Sequence, residues 1–96
     1  MLTWVLYDIV KDRARDKAAK ACLKAGLYRV QKSVFLGTLA ENERDELTMV
    51  LESLIDDARD SVYVFPMCRP DFSKVTLLGQ AFDQELVCDE VRALLI

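Results

Sequence analysis

The run "LTWVLYDI" at residues 2–9 constrains the fold more than any other stretch of the chain. Its apolar residues follow one another instead of alternating with polar ones, which predicts a β-strand buried on both faces. It is far shorter than the roughly 20 residues of a membrane span. The run closes on a carboxylate, Asp8, and four basic residues come directly after it: Lys11, Arg13, Arg15 and Lys17. An acid at the exit of an apolar strand, facing a basic segment, is an arrangement that needs a reason.

The elements after this strand follow from periodicity and punctuation. Asp12 is suited to cap a helix whose Ala14, Ala18, Ala21, Cys22 and Ala25 form one stripe of small side chains, letting it lie close to a sheet. Gly26 is placed to end that helix. In "LYRVQKSVFLG", Tyr28, Val30, Val34 and Leu36 fall on one parity, and Arg29, Gln31, Ser33 and Phe35 on the other. The polar middle of this segment predicts two short strands joined at a bend. "ENERDELTMVLESLIDDARD" is the clearest helix, with Leu47, Val50, Leu51, Leu54, Ile55 and Ala58 at helical spacing. "SVYVFPMC" reads as a strand that Pro66 ends or confines to a sheet edge. "VTLLG" reads as a further short strand. The order is that of an α+β, ferredoxin-like βαββαβ sandwich with an extra C-terminal strand. A single domain over residues 1–96 is expected, with a core at 1–78 and a tail at 79–96 for dimer or partner contact.

Composition removes several classes of function. The chain has no histidine, hence neither the usual general base nor the commonest metal ligand. Cys22, Cys68 and Cys88 are odd in number and widely spaced, which fits buried thiols in a reducing cytoplasm better than disulfides or zinc. No leader-like segment opens the sequence, and a cytoplasmic protein without membrane contact is expected. The net charge of −3 conceals an asymmetry. Residues 11–32 carry eight basic side chains (Lys11, Arg13, Arg15, Lys17, Lys20, Lys24, Arg29, Lys32) against two acids, whereas residues 41–60 carry eight acids against two arginines. A concentrated basic segment can neutralise phosphates even on an acidic protein.

Asp8 admits two readings. One makes it a ligand for Mg²⁺, which takes one or two carboxylates and completes its shell with water and phosphate oxygens. The other makes it an acceptor for free backbone N–H groups in the turn. A twofold axis that brought two copies of Asp8 to one groove would supply the second carboxylate. The basic residues likewise divide between a solvated helix face and a phosphate track, with Arg13, Lys17, Lys20 and Lys24 sharing one face. Arg29 and Phe35 share a parity, so the pair fits a backbone contact with base stacking, unless that face meets the helices.

These residues resemble the Cas2 family, the smaller of two CRISPR-associated proteins of spacer acquisition. The resemblance lies in Tyr7-Asp8-Ile9 at the strand end, a short turn into a helix carrying Arg15, Gly26, and the "RVQKSVF" block at residues 29–35. It implies a homodimer in which the last strand of each chain joins the partner's sheet. It also implies a complex with the larger CRISPR integrase subunit, bridging integrase dimers and holding DNA. Family members are described as Mg²⁺-dependent endonucleases on single-stranded RNA or duplex DNA. By position, the resemblance makes Asp8 the metal ligand. Tyr7, Arg15, Arg29, Ser33 and Phe35 become supporting catalytic or nucleic-acid-contacting residues. The phosphate-track reading of residues 11–32, which rests on charge and not on the resemblance, makes Lys11, Arg13, Lys17, Lys20, Lys24 and Lys32 nucleic-acid-binding. The alternative is a catalytically inactive nucleic-acid scaffold. A metal-carrying module of the same fold would want a Cys-x-x-Cys loop, which the sequence lacks.

Overall fold

The structure is a computed structural model that describes residues 1–76 and 78. Its elements are β1 (Leu2–Asp8), α1 (Asp12–Lys24), β2 (Tyr28–Gln31), β3 (Val34–Thr38), α2 (Glu41–Leu54), β4 (Ser61–Met67) and the short α3 (Arg69–Phe72). The strands form one sheet in the order β2-β3-β1-β4. β1 runs antiparallel to β3 from Leu2↔Thr38 to Leu6↔Val34, and antiparallel to β4 from Leu2↔Met67 to Asp8↔Ser61. This is the ferredoxin-like α+β arrangement that the element order predicts. It sets Asp8 at the end of an interior strand.

Alternation along β1 divides its side chains between two unequal faces. Val5 and Tyr7 enter the main core with Phe35 of β3, Ala18, Ala19 and Cys22 of α1, and Leu47 and Leu51 of α2. Leu2 packs on the other face with Val30 and Leu36, beside the partly buried Trp4, Val34 and Phe72. Burial on both faces is therefore corrected. Leu6 and Trp4 are only half-buried, and on β4 the neighbouring Tyr63 and Phe65 are 63% and 38% exposed. No helical layer covers this side among the described residues apart from the single turn of α3.

The helix boundaries follow local chemistry. Lys11, not Asp12, is the N-cap of α1, and no side chain caps it; Asp12 lies in the first turn, ion-paired to Arg15. An acid there suits the positive end of the helix dipole, so Asp12 is displaced by one position from the cap that the sequence predicts. At the other end Gly26 has φ +94°, which favours glycine. Its N–H donates to the Leu23 carbonyl and the Leu27 N–H to that of Cys22, closing a Schellman motif. Gly37 meets this corner, since a Cβ there would lie 2.9 Å from Leu27 Cδ2 and 3.1 Å from Leu27 Cα.

α2 starts where the Glu43 carboxylate accepts the Ala40 N–H at 2.9 Å. Leu47 and Leu51 are buried, but Val50 is 45% exposed and Ala58 lies past the helix, whose C-cap is Ile55. The helical stripe thus ends early. The Asp56 N–H is taken by the Asp60 carboxylate and the Ala58 N–H by the Asp56 carboxylate, bonds that replace the helical ones. Among the described residues β4 is an edge strand, in keeping with Pro66. Of the expected strand at residues 75–79, Val75, Thr76 and Leu78 belong to no strand, and the remainder lies outside the described residues, as does the tail at 79–96.

Candidate nucleic-acid and metal site

Asp8 is exposed at the last paired position of β1, opposite Ser61. Whether it merely satisfies the turn is answered by its neighbour. The Val10 N–H donates to Asp60 Oδ1 at 2.9 Å, while Asp60 Oδ2 accepts the Asp56 N–H at 2.9 Å. These two backbone bonds hold the Asp60 carboxyl below the usual carboxylate range. Asp60 therefore fills the turn-capping role that was one of the two readings of Asp8. Among the described residues the Asp8 carboxylate accepts no hydrogen bond and joins no ion pair, leaving its lone pairs for solvent or a ligand. Sequence reasoning passes over Asp60, because its contact with Val10 spans 50 positions and follows no local spacing.

The residues expected to support Asp8 are gathered one strand-face away from it. Tyr7 and Phe35 stack with ring centroids 6.0 Å apart, and the Arg29 guanidinium lies 5.4 Å from the Phe35 centroid. The Lys32 carbonyl ties the group together, accepting from Arg29 Nε at 3.1 Å, from Arg29 Nη2 at 2.7 Å and from Tyr7 Oη at 3.4 Å. The Ser33 carbonyl accepts the Tyr7 N–H at 3.0 Å, and Ser33 is half-buried. Burial raises the Tyr7 phenol above its ordinary pKa, against the lowering influence of the Arg29 and Arg15 charges. Two expectations change here. Phe35 has no solvent exposure and cannot stack on a base, because its face is the one that meets the helices. Tyr7, 6% exposed, is a core residue that anchors the turn before β3.

The basic residues form the exposed counterpart. Lys11, Arg13, Lys17, Lys20, Lys24 and Lys32 are all exposed, and among the described residues none makes an ion pair. Arg13, Lys17, Lys20 and Lys24 share one side of α1, while Ala18, Ala19 and Cys22 bury the other. Arg15 is drawn instead to Asp12.

The donor set sets limits on a metal. No group of three or more Asp, Glu, Cys or His side chains suited to a metal occurs among the described residues. Asp8 fits Mg²⁺ as one carboxylate among waters and phosphate oxygens, the mode in which this hard ion is commonly bound. Cys22 is unsuited, being fully buried with its thiol pushed up to about 11 by desolvation.

Comparison with known proteins agrees with this fold. The family model described as CRISPR associated protein Cas2 matches residues 1–75. A "CRISPR-associated endoribonuclease Cas2 1" of Archaeoglobus fulgidus is 41% identical over 69 residues, covering 72% of this chain and 73% of the relative. A "CRISPR-associated endoribonuclease Cas2" of Desulforudis audaxviator is 41% identical over 71 residues, covering 74% of this chain and 67% of the relative. The crystal structure of Streptococcus pyogenes Cas2 superposes with a TM-score of 0.72 at 27% identity, covering 82% of this chain and all of the other. A hypothetical protein of Thermus thermophilus gives a TM-score of 0.69 at 35% identity, covering 81% and 89%.

Proposed function

The chain belongs to the Cas2 family of CRISPR-associated proteins, and from that premise we propose that it is a metal-dependent endonuclease of CRISPR adaptation, acting as a homodimer. The observation that carries the reading is the exposed carboxylate of Asp8 at the end of an interior strand, without a hydrogen-bond or ion-pair partner among the described residues, with the turn beside it already satisfied by Asp60. Asp8 would hold Mg²⁺, with a second copy of the same residue and phosphate oxygens completing the shell. When bound there, the ion supplies charge stabilisation and an acidified water at neutral pH in a chain that has no histidine. The side chains of α1 then attract and hold the phosphate backbone. The half-open face carrying Leu6, Trp4, Tyr63 and Phe65 supports pairing of two chains. The relatives' name, endoribonuclease, favours RNA as the substrate.

Incubating the purified protein with labelled single-stranded RNA and duplex DNA, with and without Mg²⁺, tests this reading. Cleavage is expected only with the metal, and Asp8→Ala should lower it by several kcal/mol of transition-state stabilisation, about 100-fold or more. Equal cleavage by the wild type and Asp8→Ala would mean a contaminating nuclease and end the proposal.

A scaffold role has its own support in the exposed basic row of α1, which forms no ion pair among the described residues. In that role the protein holds DNA and bridges dimers of the CRISPR integrase subunit without cutting. DNA binding that survives Asp8→Ala, weakens with charge reversal at Arg13 or Lys20 and falls steeply with salt is the expected pattern.

A further inference from the structure

We propose that Asp60 is the positioning residue of the site: by bridging the β1–α1 turn to the α2–β4 loop it fixes the backbone on which Asp8 is presented. The inference rests on the reading of Asp8 as the metal-holding carboxylate.

The main-chain ladder between β1 and β4 ends at Asp8↔Ser61. Two residues on, Val10 has an N–H and no facing carbonyl from β4, because the chain there has turned into the loop after α2. The Asp60 carboxylate fills that place. Its Oδ1 accepts from Val10 at 2.9 Å and so extends the pairing past the last strand residue. Its Oδ2 accepts from the Asp56 N–H at 2.9 Å, and the Asp60 N–H itself donates to the Asp56 carbonyl at 2.8 Å. The loop at residues 56–60 is thereby closed into a ring that grips the exit of β1. Both oxygens of Asp60 are engaged by backbone donors, which makes it a fastener between the two segments.

Asp8 lies beside the gripped exit, two residues before Val10 and across from Ser61, the residue after Asp60. Its carboxylate makes no side-chain bond of its own among the described residues. On the exit side its backbone is anchored by the buried side chain of Ile9 and, among the described residues, by one hydrogen bond to a side chain, that of Val10 to Asp60. Partners of this outer kind are typically worth about 10-fold to 100-fold in metal affinity.

Asp60→Asn tests the idea in the full-length protein. The amide keeps the size of the side chain and one acceptor, but turns an N–H₂ toward one of the two backbone donors. Asp60→Ala, which removes both acceptors, is the second variant. Mg²⁺ affinity is measured by calorimetry well below the melting temperature, with the amide signals of Asp8 and Val10 followed by NMR. About a 10-fold loss of Mg²⁺ affinity in Asp60→Asn, a displaced Val10 signal and a cleavage rate restored by raised Mg²⁺ support the proposal. Asp8→Ala should not be restored in that way. A lower melting temperature with unaltered Mg²⁺ affinity would overturn the positioning role and leave a purely structural one. Wild-type affinity that is unmoved by Asp8→Ala would instead overturn the metal-site reading, and this inference with it.

Discussion

At the scale of single residues, the ionisable groups divide by what they touch. Cys22 is shielded by apolar neighbours, which raises its thiol from 9.0 to about 11. A group whose folded pKa is raised stabilises the fold fully below its unfolded pKa and loses that contribution as pH climbs through the folded value. Stability is therefore expected to fall between about pH 9 and 11, with the raised Tyr7 phenol adding to the loss. Urea midpoints across this range check it: Cys22→Ala should flatten the decline, and an unchanged slope would refute the assignment. Asp60 has the opposite sign. Its lowered pKa gives a contribution present above the ordinary Asp value and lost as acid protonates the bridge. Protection of the Val10 amide, relative to its intrinsic exchange rate, should drop only as pH falls below the ordinary Asp value of about 3.9, and this drop should vanish in Asp60→Ala.

The elements respond to packing and charge in separable ways. Gly37 on β3 abuts the corner that ends α1, where an added methyl group would press on Leu27 Cδ2 and Cα. Backbone is one of the two partners, so relaxation is limited, and Gly37→Ala should cost about 1–3 kcal/mol. Chemical denaturation reads this, with DNA affinity of the folded fraction left unchanged. On α1 the reverse holds. Lys20→Glu replaces an exposed cation that makes no ion pair among the described residues; it should leave stability nearly intact and make the log–log salt slope of duplex binding shallower by about 0.9 for each phosphate no longer neutralised. A salt slope identical to the wild type would remove Lys20 from the track. Much of this layer is legible in the sequence. Gly26, the break in "RVQKS" and the stripe of alanines each follow from short-range rules. Parity also shows correctly that Arg29 and Phe35 share a face. Which face lies beneath the helices is a tertiary choice, however, and alternation alone carries no information about it. That is why the pattern leaves Phe35 between base stacking and the core, and only the resemblance draws it toward nucleic acid, when it belongs to the core.

For the whole molecule, the open side of the sheet is the feature that most shapes behaviour in solution. Trp4 stacks on Phe65 with centroids 6.5 Å apart, and Tyr63 stands 63% exposed beside Leu6. Such a surface on so small a chain favours association. Leu6→Lys, which sets a charge in the middle of this face, is expected to convert a dimer to monomers in sedimentation while circular dichroism stays unchanged. A wild type that sediments as a monomer would dismiss the shared groove on which the metal site depends. In the sequence, pairing is suggested by small size, by the second carboxylate that a metal at Asp8 would want and by family resemblance, but not by the apolar run, which reads the same whether the second face is covered by its own chain or by another. The strict alternation of β1 has one more consequence. Tyr7 and Asp8 occupy adjacent positions and opposite sides, so inserting or deleting one residue upstream would sink the acid into the core and expel the phenol. Descendants of this gene can exchange side chains along the strand with some freedom, but they can change its length only in steps of two.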